Sequence, residues 1–147
     1  MSRRIATFVL IWMLSIGAVH AGDNAVVLVA ASDNGLEAID SLSIRKAYLG
    51  VPVQVHGRRV SPIRRKDDAR LDEIFMQAVM AMSEKSYERR LLSLSLKFAV
   101  PRPVEALDNE QFLKLLTSEP MAISYMWQAD AEADSRIRII RVLWQEP

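Results

Sequence analysis

No cysteine occurs anywhere in the chain. That absence removes a disulfide framework and any thiolate site, catalytic or metal-binding. Histidine is nearly missing as well. Of the two present, His20 lies in the N-terminal apolar stretch and only His56 remains beyond it. One histidine without cysteine makes a poor transition-metal site. A nucleophile–histidine–acid triad would have to be built on His56, which no catalytic motif surrounds. The competing reading of His56 is an exposed histidine in a polar, glycine-containing loop. There is no internal repeat and no low-complexity segment. Charge of one sign is lacking too. Without Arg3 and Arg4 the 19 basic residues become 17, against 18 acidic ones, a net charge of −1. A chain so balanced is not a polycation, and nucleic acid is not expected as a partner. No cofactor, metal or enzymatic activity is expected.

What is present begins with a leader. Arg3 and Arg4 precede an almost wholly apolar run, Ile5 to Val19, and Val19-His20-Ala21 offers small residues suited to a signal peptidase. The pattern predicts a secretory signal peptide over 1–21 and export to the periplasm. The alternative is a retained membrane anchor, although the run is shorter than the roughly 20 residues a spanning helix needs. The strongly apolar centre favours general secretion over a twin-arginine route.

Residues 22–147 read as one domain. With no cross-link, its fold must rest on its apolar core, and about half of the chain's residues are apolar (50%). Ala25–Ala31 is a continuous valine-rich run, the pattern of a strand buried on both faces. Ser43 and Gly50 bracket a short helix. Residues 51–59 form a loop or hairpin. Val60–Arg65 is a second strand, which Pro62 assigns to an edge or an irregularity. Leu71, Ile74, Phe75, Ala78, Val79 and Met82 form one helical face. Ser83 caps a further helix with Tyr87, Leu91, Leu94 and Phe98 on its inner stripe. Pro101-Arg-Pro103 is an extended connector. Asp108 and Gln111 form a capping box for a helix through Phe112, Leu115 and Leu116. Residues 121–126 and 136–144 are strands separated by an acidic spacer. Helices between apolar strands predict an α/β fold, a small mixed sheet with helices packed on it.

The chemistry concentrates in residues 58–75, "RRVSPIRRKDDARLDEIF". Arg58, Arg59, Arg64, Arg65, Lys66 and Arg70 crowd a strand that runs into a helix start. Arginine forks fit phosphate or sulfate oxygens in bidentate fashion. A helix N-terminus adds free N–H groups and a positive dipole end. The competing reading is a solvated basic patch. Asp67/Asp68 and Asp72/Glu73 are paired carboxylates, which at a helix start serve as caps and dipole partners.

Four segments in order carry a resemblance. Ser41-Leu-Ser-Ile-Arg-Lys-Ala-Tyr-Leu-Gly50 is similar to a family helix "sLs…IYLG". Val60–Phe75 resembles a strand–arginine–helix unit "v…vrR.D.SGT…F". Tyr87–Pro103 looks like "y…w…f.G…p", and Glu119-Pro-Met-Ala-Ile-Ser-Tyr125 like "pgaIgY". From about Val26 to Tyr125 the chain resembles the phosphate-binding proteins of bacterial ABC uptake systems, of type 2 periplasmic binding fold. It is most similar to their short, single-lobe phosphate transporter substrate-binding members. The resemblance implies a single periplasmic-binding-protein-like lobe, since the full-length family buries its ligand between two. It puts the family's phosphate arginine on Arg65 and an acid on Asp67. Ala69, Arg70 and Leu71 stand where the family has Ser-Gly-Thr, and Ser32 after the first strand completes the candidate ligand set. Two hydroxyl donors are thus absent, Asp68 adds a negative charge, and family glycines are replaced at Met121 and Ser124. The family's tryptophan near Leu91 is absent. The resemblance implies weak binding of phosphate or a similar oxyanion, in ABC-type uptake or sensing, with a membrane transporter or sensor as partner. The alternative is a non-catalytic envelope interaction module that has lost its ligand.

Overall fold

The computed structural model describes residues 24–147. The expected leader over 1–21 lies outside the described residues. Those residues form strands β1 (Ala25–Ala31), β2 (Gln54–Val55), β3 (Arg58–Arg59), β4 (Ser61–Arg65), β5 (Val104–Ala106), β6 (Ala122–Trp127) and β7 (Ile137–Gln145). The helices are α1 (Ser41–Tyr48), α2 (Ala69–Phe75), α3 (Glu84–Phe98), α4 (Asn109–Ser118) and α5 (Gln128–Glu132), with a π-helical segment over Met76–Met80.

Five strands make one mixed sheet in the order β5-β4-β6-β1-β7. β4 runs parallel to β5 and to β6, whereas β1 is antiparallel to both its neighbours, β6 and β7. The apolar β1 lies inside this sheet with every residue buried, as a valine-rich run without alternation requires. Its side chains alternate between two cores. Val26 and Leu28 join Tyr48, Leu71, Phe75, Tyr87 and Tyr125 beneath α1, α2 and α3. Val27 and Val29 join Ile63, Phe112, Leu116 and Met126 beneath α4 and α5. The architecture is therefore the expected α/β fold, a mixed sheet with helices packed on it, here on both faces.

Several details differ from the pattern reading. The cap of α1 is Asp40, not Ser43: its carboxylate accepts from the Ser43 N–H at 2.9 Å and from the Ser43 hydroxyl at 2.6 Å. Pro62 is flanked by β6 alone, because β5 joins β4 only from Ile63 onward. A residue lacking an N–H thus meets no second ladder. The uniform helical stripe of 71–82 breaks at the π-helical segment. Its wider turn rotates the face, so that Met76 and Met80 are buried and Ala78 is exposed. β5 follows the Pro101–Pro103 connector in a stretch given no element, and α5 occupies most of what read as an acidic spacer. Their short lengths give no periodicity to detect.

The capping box of α4 forms as expected, with one change of partner. Asp108 accepts from the Gln111 N–H at 2.7 Å, and Gln111 reaches back to the Leu107 N–H at 2.9 Å. In the β2–β3 hairpin, His56 and Gly57 both take positive φ, 51° and 74°, the geometry of a two-residue turn. His56 is exposed at its tip.

Candidate functional site

β4 delivers two adjacent arginines to opposite faces of the sheet, because strand side chains alternate. Both are almost fully buried, Arg64 at 1% and Arg65 at 6% exposure. A buried guanidinium must be paired to be tolerated.

Arg64 points under α2 and α3. Its Nη2 donates to Asp72 Oδ2 at 2.7 Å and to Glu84 Oε2 at 2.6 Å, and its Nε reaches Asp72 Oδ1 at 3.2 Å. The plane lies over the Tyr87 ring, 4.6 Å from its centroid. Lys66 bridges the same two carboxylates at 3.1 and 2.7 Å. Tyr125 donates its hydroxyl to Asp72 Oδ1 at 2.7 Å while accepting from the Arg65 N–H at 3.1 Å. The Arg64 and Lys66 cations hold Glu84 down to about 2, outweighing its partial burial. Burial, reinforced by the charge of Asp72, pushes the Tyr125 hydroxyl well above its ordinary range, so it stays a proton donor.

These hydroxyls also replace missing ladder bonds. β4 and β6 are in register only at Ser61↔Ala122 and Pro62↔Ile123. Beyond that point the Ile63 carbonyl accepts from the Tyr48 and Ser124 hydroxyls at 3.0 and 2.9 Å. Ser124, one of the positions where glycine was expected, therefore has a structural duty. Met121, the other, retains the backbone that glycine favours, with φ of 55°.

Arg65 points the other way, under α4. Asp67 clamps it in bidentate fashion, at 2.7 Å from Nε and 2.6 Å from Nη2. The guanidinium carbon sits 3.9 Å from the centroid of the Phe112 ring. Its Nη1 is buried without a hydrogen-bond partner. Arg65 borders a groove of about 410 Å³ whose other walls include Asn109, Leu113, Met126 and Asp130.

Between the arginines stands the start of α2. Here Asp68 is the cap: its Oδ1 accepts from the Leu71 N–H at 3.0 Å, and its Oδ2 accepts from the Trp127 indole at 2.9 Å. Burial opposes its ionisation, but the Leu71 N–H, the Trp127 indole and the charge of Arg65 keep its pKa below the ordinary carboxylate value. A protein carboxylate thus occupies the helix end at which an external anion would sit.

The candidate residues are therefore only partly assembled. Arg65, Asp67 and the backbone of Ala69, Arg70 and Leu71 adjoin one another at one end of the sheet. The Leu71 side chain is in the core. The Arg70 guanidinium turns toward the Trp127 ring, at 5.6 Å. Ser32 is elsewhere, and its assignment to this cluster is corrected. β1 is antiparallel, so Val26 pairs with Trp127 and Val29 with Ser124, and Ser32 emerges at the opposite end of the sheet from Arg65. There its hydroxyl donates to the Ser135 carbonyl at 2.8 Å.

Sequence reasoning missed the network on the other face. Its available signal was strand alternation, which sends Arg64 away from Arg65 and toward the helix carrying Asp72. Its partner Glu84 lies 20 positions on, and no local pattern marks it.

No family model and no curated protein matches the sequence. Solved structures do match the fold. An ABC-type phosphate transport receptor from Vibrio cholerae superposes with a TM-score of 0.58 and 10% identity, over 82% of this chain and 46% of that one. The chain has the periplasmic binding protein-like fold. A phosphate ABC transporter substrate-binding protein with bound phosphate from Clostridium perfringens gives 0.56 and 11%, over 82% and 45%. PstS from Borrelia burgdorferi gives 0.56 and 12%, over 84% and 49%. The chain spans about half the length of the solved structures it matches.

Proposed function

We propose that the protein is an exported, non-catalytic phosphate-binding-protein-like domain of the periplasm that meets a small oxyanion weakly at Arg65, in ABC-type uptake or sensing. One observation carries the reading: a buried guanidinium at a strand–helix junction retains an unpaired N–H at Nη1. Asp67 already holds the other edge of the fork, so an oxyanion receives one arginine edge rather than a full cradle. A charge-assisted hydrogen bond contributes about 1.5–3 kcal/mol. A pair of such bonds gives about 3–6 kcal/mol before the ordering cost of binding, which leaves affinity near the millimolar range, since about −4 kcal/mol is 1 mM.

Isothermal titration with phosphate and with sulfate tests this. Millimolar binding that disappears in Arg65→Ala is the expected result. No heat at millimolar ligand, with Arg65→Ala indistinguishable from the parent, would overturn the ligand role.

A second reading, an envelope interaction module without a ligand, is favoured by Asp68, whose carboxylate fills the start of α2. It predicts no anion binding together with a specific crosslinked protein partner, either a membrane transporter or a sensor. A strictly monomeric, uncrosslinked protein in the envelope would exclude it.

A further inference from the structure

The inner stripe of α3 is Tyr87, Leu91, Leu94 and Phe98. Tyr87 and Leu91 are buried and Leu94 is half-buried. Phe98, on the same stripe, is 69% exposed. The expectation that it joins the core fails because α3 outruns the core beneath it. On the outer side of the same final turns, Leu92 and Leu96 are 54% and 78% exposed. The end of α3 therefore exposes apolar side chains on two opposite sides, with Ser93, Ser95 and Lys97 between them, a pattern that in water calls for a covering.

The charges around it have one sign. From Arg89 onward the helix carries only cations, and Arg89, Arg90 and Lys97 are all exposed. The two acids of the helix are engaged elsewhere: Glu84 by Arg64 and Lys66, Glu88 by Arg64 and Arg102. A second copy would set this basic helix against another basic helix. A protein groove would read a single stripe of anchors, whereas Leu92 and Leu96 lie on the side of the helix opposite Phe98. A bilayer surrounds an inserted tip completely, and anionic headgroups match a collar of lysine and arginine.

We propose that the C-terminal end of α3 is a membrane-docking tip, with Leu92, Leu96 and Phe98 entering the headgroup–acyl boundary of an anionic bilayer and Arg90 and Lys97 pairing with its headgroups. From Arg90 to Phe98 the helix rises about 12 Å, enough for the tip to reach the roughly 5–10 Å depth of interfacial helices while Arg90 remains at headgroup level and Lys97, beside Phe98, reaches back to the headgroups on its flexible stem. This inference is independent of whether Arg65 holds an anion.

The lack of cysteine makes a direct test available. Leu96→Cys gives the chain a single thiol, which takes an environment-sensitive nitrobenzoxadiazole probe. Glu132→Cys places the same probe on α5 as a control. Vesicles of phosphatidylcholine containing phosphatidylglycerol should raise the Leu96 signal several-fold and shift it to the blue, while the control stays flat. High salt should reverse the effect. Arg90→Gln and Lys97→Gln should each weaken partitioning about fivefold. An unchanged Leu96 probe on anionic vesicles at low salt overturns the proposal. So does an equal response on neutral vesicles. A response elicited by self-association or by an acidic protein, and not by lipid, overturns it as well.

Discussion

Arg64 and Arg65 are neighbours in sequence, and both are buried on the same short strand, yet the sheet between them gives them different chemistry. Arg64 meets Asp72 and Glu84 squarely, rests on Tyr87 and shares its acids with Lys66. Its charge is fully answered from within. Arg65 has one clamp, Asp67, one ring, Phe112, and one N–H left over. The lesson is that burial of a cation says little about function until its donors are counted. The arginine with every donor satisfied holds the fold together. The one with a donor to spare leaves a buried N–H unanswered within the described residues.

The largest test of this contrast is Arg64→Ala. It should destabilise the protein by about 3–5 kcal/mol, because Asp72 is left buried beside a missing partner. Arg65→Ala should lose less, about 1–2 kcal/mol, since Arg65 makes one ion pair, with Asp67, where Arg64 makes pairs with Asp72, Glu84 and Glu88. Urea denaturation of both variants decides it, and equal losses would erase the distinction. Next comes Tyr125→Phe, which removes the one group bonded to both halves of the comparison, Asp72 on one side and the Arg65 N–H on the other. About 1–3 kcal/mol should disappear, again by urea denaturation. A loss within error of zero would show that the two sides are not tied together through this hydroxyl.

Asp68→Ala sharpens the Arg65 side. The cap is worth about 1 kcal/mol, so the melting temperature should fall modestly. Phosphate binding measured by calorimetry should strengthen, because a competing charge has gone. Weaker binding would mean that Asp68 supports the site instead of filling it. The smallest effect belongs to the Arg64 side and concerns pH. Glu84 is held at about 2, below its ordinary 4.5. Its contribution to stability is thus complete above about 4.5 and is lost as pH falls toward 2. Because its side chain is 48% exposed, solvent screens much of that contribution. The stability difference between the parent and Glu84→Gln should shrink over this window. A difference that stays constant would remove Glu84 from the network.

The contrast also marks how far sequence reasoning reached. β1 was legible because seven consecutive apolar residues, all alanine or valine but for Leu28 and with no polar position among them, suit a strand covered on both faces. The caps at Ser83 and Asp108 were legible because their partners lie three residues away. Arg65 and Asp67 drew attention through the family resemblance, and they are clamped together. The network around Arg64 was not legible, since Asp72, Glu84 and Tyr125 approach it from three elements joined only by the tertiary fold. The direction of β1 was equally hidden. A buried strand carries no mark of its polarity, and that polarity alone sends Ser32 to the far end of the sheet. Phe98 shows a further limit, because helical spacing fixes which face a residue shares but not whether the core extends that far.

The position of β1 has a consequence for how the chain comes together. It is the first strand in sequence, but its neighbours in the sheet are β6 and β7, with Val26 opposite Trp127 and Ala25 opposite Gln145. Both pairings close loops of roughly a hundred residues, and such non-local closure is slow. While synthesis proceeds, the apolar β1 has no sheet to enter until the final strands have left the ribosome. The sheet therefore closes around its earliest described strand last, and β1 stays unpaired until its two C-terminal neighbours are available.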